Sequence, residues 1–293
     1  MAAGPIAVGR RLGEFGREFL DSFQAINAVR ERLRRISTLP VSVSTITFTG
    51  KLDCGGVPVE DMRMNAALAE EFGPPLEFSL DCDATKRRKT AAGAAGAAAG
   101  PGKRFRYQLS LKRRGKSVKV FHNGSVHATG CTSPLEFLDL AAALLEFIEE
   151  TGEVRARLLD FDIHLINVLF LVTCPRTGRP MTIAPKALLD HMGAARADFD
   201  TERHPSVKIA VRDDAGAKVA TACVFQTGSV SIMGAKRPRH LALAYATVCE
   251  ALEACAEAVC APDPAAAVRT TTAKNALTLH AGYPLGPFSC CQF

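Results

Sequence analysis

The sequence predicts an α+β fold of two β-α-β-β-β-α repeats, related by a pseudo-two-fold, in which each half completes the sheet of the other. Three observations predict it. A short motif occurs twice, as Phe121-His122-Asn123-Gly124-Ser125-Val126 and as Phe225-Gln226-Thr227-Gly228-Ser229-Val230. An alternating apolar run precedes each Phe, as a half-buried strand requires. A second glycine (Gly130, Gly234) and a long amphipathic helix then follow each copy. Two copies are too few for a solenoid and suit a pseudo-symmetric molecule.

Composition narrows the function. The 293 residues, 47% hydrophobic, suffice for one bilobed domain or two small ones. A net charge of +6 is compatible with a polyanionic partner without demanding one. Ten cysteines lie without CxxC or Cys/His ligand spacing, which points to reduced thiols in an intracellular protein. The longest apolar run, Phe161 to Thr173, is interrupted by Asp162, His164 and Asn167 and is too short to span a bilayer. The N-terminus has no apolar core of signal-peptide type.

Residues 1–39 read as an N-terminal helical extension. Leu12, Phe15, Phe19, Phe23, Ile26, Val29 and Leu33 recur at helical spacing, four arginines crowd its end, and Pro40 closes it. Its apolar stripe suits docking on the rest of the chain; its basic side also allows nucleic acid or membrane. The first repeat, residues 40–156, opens with a strand from Val43 to Thr49, turns at Gly55-Gly56 and starts a helix at Pro58 carrying Met62, Ala66, Ala69 and Phe72. Residues 82–102 hold the basic quartet Lys86 to Lys89 and an Ala/Gly run, read as a disordered insertion. The quartet fits a nuclear-import signal, a phosphate contact or a solvated charge run alike.

A strand from Phe105 to Lys112, a turn at Arg113 to Lys116 and two strands over Ser117 to Gly130 come next. Period-two alternation separates Val118, Val120, Val126 and Ala128 on the core side from Lys119, Phe121, His127 and Thr129 on the other. Ser133, Pro134 and Glu136 form a capping box for a helix with Leu135, Leu138, Ala142, Leu145 and Ile148 on its buried stripe. The second repeat, residues 157–260, predicts strand Leu159–Val172, helix Pro185–Ala195, strands Val207–Arg212, Val219–Phe225 and Ser229–Met233, and a helix from Pro238. Residues 261–293 add one strand, Val268–Leu279, and a tail. The tail's final Cys290-Cys291-Gln292-Phe293 fits a prenylation box only in outline.

Two Phe-x-x-Gly-Ser-Val cassettes in register, the opening Ser44 to Asp53, the segment Leu159-Asp160-Phe161, and Gly234-Ala235-Lys236 after the second hairpin resemble the TATA-binding protein family over about residues 41–280. Phe121 to Cys131 and His204 to Ile209 are similar to the divergent versions encoded by large eukaryotic DNA viruses. The resemblance implies a saddle: one curved antiparallel sheet, helices on its convex face, and DNA on its concave face. It further implies minor-groove binding with apolar wedges between base steps, and bending of the duplex. On that reading Phe121 and Phe225 are the hairpin wedges. Arg104 and His204 stand where the family has second wedges, unless a one-residue bulge restores Phe105. Val41 and Leu165 replace the central asparagines, with Asn167 placed to substitute. Thr129 is kept, and its counterpart is Met233. Val43, Lys119, His127 and Lys236 complete the expected DNA face.

The expected partners are A/T-rich double-stranded DNA and a viral RNA polymerase or basal transcription factors, in a host nucleus, a cytoplasmic viral factory or a virion. No Ser/His/Asp set, paired carboxylates, P-loop or dinucleotide glycine pattern occurs, so no enzyme activity, cofactor, metal or small-molecule ligand is expected. The rival reading is a protein-interaction module that keeps the fold and recruits transcription machinery without binding DNA itself.

Overall fold

The computed structural model describes residues 4–72, 78–80, 108–202 and 204–262. The expected insertion at 82–102, Arg104, Phe105 and the strand at 268–279 lie outside the described residues. In chain order the elements are α1 (Gly4–Arg32), β1 (Ser37–Thr38), β2 (Ser42–Asp53), α2 (Val59–Phe72) and β3 (Ser79–Leu80). Then come β4 (Gln108–Arg113), β5 (Lys116–Phe121), β6 (Ser125–Cys131), α3 (Pro134–Gly152) and β7 (Arg157–Thr173). The chain continues with β8 (Met181–Ile183), α4 (Pro185–Met192), β9 (Ala197–Asp198), β10 (Ser206–Arg212), β11 (Lys218–Phe225) and β12 (Ser229–Ala235). It ends in α5 (Pro238–Ala254), α6 (Ala256–Val259) and β13 (Cys260–Pro262). The class is therefore α+β, with antiparallel strand pairing. Among the described residues no helix is long and apolar enough to cross a membrane.

Two compact units form. Unit 1 holds Thr47–Asp162 and the start of α1 up to Arg11; unit 2 holds Leu12–Ile46 and the chain from Ile163. Residues of β2 and of β7 fall in both units.

In unit 1 the strands lie in the order β3-β4-β5-β6-β2. A two-residue turn joins β4 to β5, with Arg114 at φ 48° and Gly115 at φ 79°, the positive pair that suits the twist of a tight hairpin. Arg113 belongs to β4 rather than to the turn: it is buried and its guanidinium lies 3.1 Å from the Asp139 carboxylate. The core stacks Phe48 on Phe137 at 4.7 Å between ring centres, with Phe161 5.2 Å from Phe137. Ser133 caps α3, its hydroxyl accepting from the Glu136 N–H at 3.2 Å, while the Glu136 carboxylate accepts from the Thr132 N–H at 2.7 Å. The buried stripe of α3 is Phe137, Leu140, Leu144, Phe147 and Ile148; of the expected stripe Ile148 is buried, Leu138, Ala142 and Leu145 are partly exposed and Leu135 is exposed. Two apolar stripes compete on this helix, and the one with both aromatic rings buries more area.

In unit 2 the order is β7-β12-β11-β10-β9, with β8 pairing β13 separately. Phe15, Ile26 and Val29 of α1 are buried as the periodicity predicts, but the helix stops at Arg32, short of Pro40. The Glu253 carboxylate on α5 accepts the backbone N–H groups of Arg34 and Arg35 at 2.8 Å and of Ile36 at 3.0 Å. This turns the chain into β1, which pairs with Val172 and Thr173 of β7. Next to it Thr38 and Tyr245 share a buried hydroxyl–hydroxyl hydrogen bond of 2.6 Å, and burial pushes the Tyr245 phenol up from its ordinary range. Tyr245→Phe leaves the buried Thr38 hydroxyl without this partner and should cost about 1–3 kcal/mol. Adding Thr38→Val should recover part of that loss in denaturant melts; strictly additive losses would mean that the two hydroxyls are not coupled.

The two hairpins are anchored alike. The N–H groups of Gly124 and Gly228 donate to Phe121 and Phe225 carbonyls at 2.8 and 3.0 Å. The carbonyls of Gly124 and Gly228 accept from Leu52 and Val172 at 2.8 and 2.9 Å, and those of His122 and Gln226 from Val57 and Ile183, each at 2.8 Å. Both glycines have φ 79°. These bonds match Leu52 to Val172, and counting back along β2 and β7 matches Leu165 to Thr45, not to Val41.

Candidate nucleic-acid interface

Each unit packs helices on one face of its strands and leaves partly exposed side chains on the other. In unit 1 the open face forms rows across β4, β5 and β6. Ser110 lies opposite Lys119 and Lys119 opposite His127; Lys112 lies opposite Ser117 and Ser117 opposite Thr129; Gln108 lies opposite Phe121. Val118, Val120, Val126 and Ala128 are buried between them, so the period-two division of this hairpin holds. Thr49, Gly50, Lys119, Phe121, Ser125, Val126 and His127 line a shallow depression of about 420 Å³. Phe121 is half-buried at its edge. Behind the tip, His122 Nδ1 is 2.9 Å from the Val57 carbonyl, and Lys51 Nζ donates to the Asn123 carbonyl.

In unit 2 the rows run Leu169–Ser231–Cys223–Lys208, with Cys223 buried, and Met233–Thr221–Ala210. Leu169 and Met233, one in each row, are 40% and 38% exposed. Phe225 is half-buried. The His204 ring lies 5.6 Å from the Phe225 ring at 52°, and its Nδ1 is 2.7 Å from Ser206 Oγ. The two rings adjoin at one end of the face.

Asn167 has a defined local task. The register of β12 against β7 shifts between Ile232 and Ala235, which leaves the Gly234 N–H without a ladder partner. Asn167 Oδ1 accepts that N–H at 3.0 Å. With the oxygen engaged, the donors of this side chain are those of its amide NH₂.

Val43 is a correction: it is fully buried and faces the core. Strict alternation back from Ile46 and Phe48 puts Val43 on the open side, but Ser44 and Thr45 are two consecutive residues off the core, which reverses the parity. His164 and Leu165 do the same in β7. Sequence reading missed Thr49 and Lys51 on β2 and Lys112 and Lys208 on the flanking strands. The usable signal was the parity of each strand relative to its buried valines. Lys236 is exposed just beyond β12.

No protein-family model matches the chain. It is 28% identical over 153 residues to a TATA-box-binding protein-like protein of Acanthamoeba polyphaga mimivirus, covering 44% of this chain and 40% of that protein. The chain thus matches less than half the length of that relative. Among solved structures it is similar to Methanococcus jannaschii TBP, with a TM-score of 0.46 and 12% identity, over 74% of this chain and 99% of that one.

Proposed function

Taking the chain as a divergent TATA-binding-protein-like protein, we propose that it acts in transcription initiation by laying the open sheet faces on the minor groove of A/T-rich DNA and bending it. One observation carries the reading. Each open face carries hydroxyl-bearing residues among lysines in unit 1 and among apolar side chains in unit 2, with a half-buried Phe at the base of an anchored hairpin. Such a surface fits the minor groove, whose floor offers little beyond hydrogen-bond acceptors at A·T pairs. A ring at the hairpin is suited to enter between base steps. Asn167, at an outward position of β7 with its oxygen on Gly234, supplies amide donors that match those acceptors. His204 backs Phe225 in place of a second wedge. The transcription machinery is the protein partner this role requires.

Mobility-shift and bending measurements on A/T-rich and G/C-rich duplexes test the proposal. Tighter binding and larger bending of the A/T-rich duplex support it. No binding to either, with promoter-dependent transcription still requiring the protein, favours the interaction-module reading. Asn167→Asp is a sharper probe: it keeps the acceptor for Gly234 but removes the amide donors and adds a negative charge. DNA affinity should fall about tenfold or more while the melting temperature moves by only a few degrees. Unchanged affinity would remove Asn167 from the interface.

A further inference from the structure

The hydrogen-bond match of the two hairpins allows their open faces to be compared position by position, and the chemistry is unequal. Where unit 1 has Lys51, Thr49 and Thr129, unit 2 has Leu171, Leu169 and Met233. Where unit 1 has Lys112 and Lys119, unit 2 has Ala210 and Cys223. The reverse exchange occurs at Ser110, matched by Lys208. Unit 1 also carries Asp53, two residues from Lys51 on β2, and Asp160 and Asp162 on β7.

We infer that the two faces divide the contact with DNA: unit 1 meets phosphates through a hydrated, lysine-bearing surface, and unit 2 makes a dehydrated apolar contact with sugars and base edges. This rests on the DNA-binding reading and adds which half supplies which kind of free energy. Phosphate contact by lysine releases condensed counterions, so its contribution falls with salt. Apolar contact by Leu169, Leu171 and Met233 is nearly independent of salt and lowers the heat capacity on binding. The depression beside Lys119 and Phe121, lined by the Thr49 and Ser125 hydroxyls and by His127, leaves room for water at the unit 1 surface.

The test is a salt titration of binding by the full chain to one A/T-rich duplex, followed by fluorescence anisotropy, with calorimetry for the heat-capacity change. Lys112→Gln with Lys119→Gln should reduce the slope of log K against log salt by about 0.9 per lysine and leave the heat capacity change intact. Leu169→Thr with Met233→Thr should leave the slope unchanged, weaken binding about tenfold and make the heat-capacity change less negative. Ala210→Lys, which adds a charge to unit 2, should steepen the slope. All these side chains lie on the open face, so unchanged melting curves confirm folding. Equal effects of both pairs on slope and heat capacity overturn the division while leaving DNA binding in place. If the wild-type chain binds no duplex at any salt, the division and the DNA-binding reading fall together.

Discussion

Gly228→Ala should lower the melting temperature by about 10 °C, corresponding to a loss of roughly 3–4 kcal/mol in a chain of this size. A Cβ at this position would lie 2.3 Å from the Met181 carbonyl oxygen and 3.1 Å from that of Val172. Both obstacles are backbone, and neither can swing aside. The Val172 N–H is bound to Gly228 itself, while β8 is held by β13 and by the Ile183 N–H on the Gln226 carbonyl. The left-handed backbone at φ 79° adds about 1 kcal/mol for any residue with a Cβ. Gly124→Ala provides the scale: the same φ, but a nearest approach of 3.0 Å to the Leu52 carbonyl, so the loss should be about half. Thermal melts of both variants decide the matter. A Gly228→Ala melt within about 2 °C of wild type would mean that β8 does not clamp the second hairpin.

That clamp marks the limit of what the sequence makes legible. The cassettes, their strands and the helices from Pro134, Pro185 and Pro238 are readable because period-two alternation, proline at the first helical turn and paired glycines all agree. The three-residue strands β8 and β13 are not, since Met181–Ile183 and Cys260–Pro262 are too short to show a period and only their pairing defines them. The stripe of α3 was misphased because nearly every non-acidic residue from Leu135 to Ile148 is apolar, so periodicity alone cannot choose a face. Tertiary contact of Phe137 with Phe48 and Phe161 makes the choice.

On the open face, the hairpin residues were legible and the β2 residues were not. Lys119, Phe121, His127 and Thr129 alternate against four buried neighbours within one short hairpin, so no parity error accumulates. Over twelve residues of β2, two consecutive side chains off the core reverse the alternation and send Val43 inward. The same reversal in β7 leaves Asn167 and Leu169 outward. Strand parity is therefore trustworthy only up to the first irregularity, and the inequality of the two faces emerges only once hydrogen bonds fix which residues correspond.

The second large effect concerns Phe121 and Phe225. Phe121→Ala and Phe225→Ala should each weaken binding to an A/T-rich duplex by about ten- to a hundredfold, or roughly 1.4–2.8 kcal/mol, and each should reduce the bend. A ring inserted between base steps stabilises only the kinked duplex, so removing it must lower affinity and bending together. Stability should change little, because both rings are half-buried on the face opposite the core, across from Gln108 and Ser206. The two variants should differ in salt response. Phe121 borders the depression that holds Lys119, so its loss also disturbs a charged contact; Phe225 packs against His204, and its loss should leave the salt slope nearly intact. Circular-permutation mobility shifts report the bend and anisotropy reports the affinity. Should both variants bind and bend like wild type while promoter-dependent transcription still requires the protein, the rings are no wedges, and recruitment through protein contacts replaces DNA bending as the function.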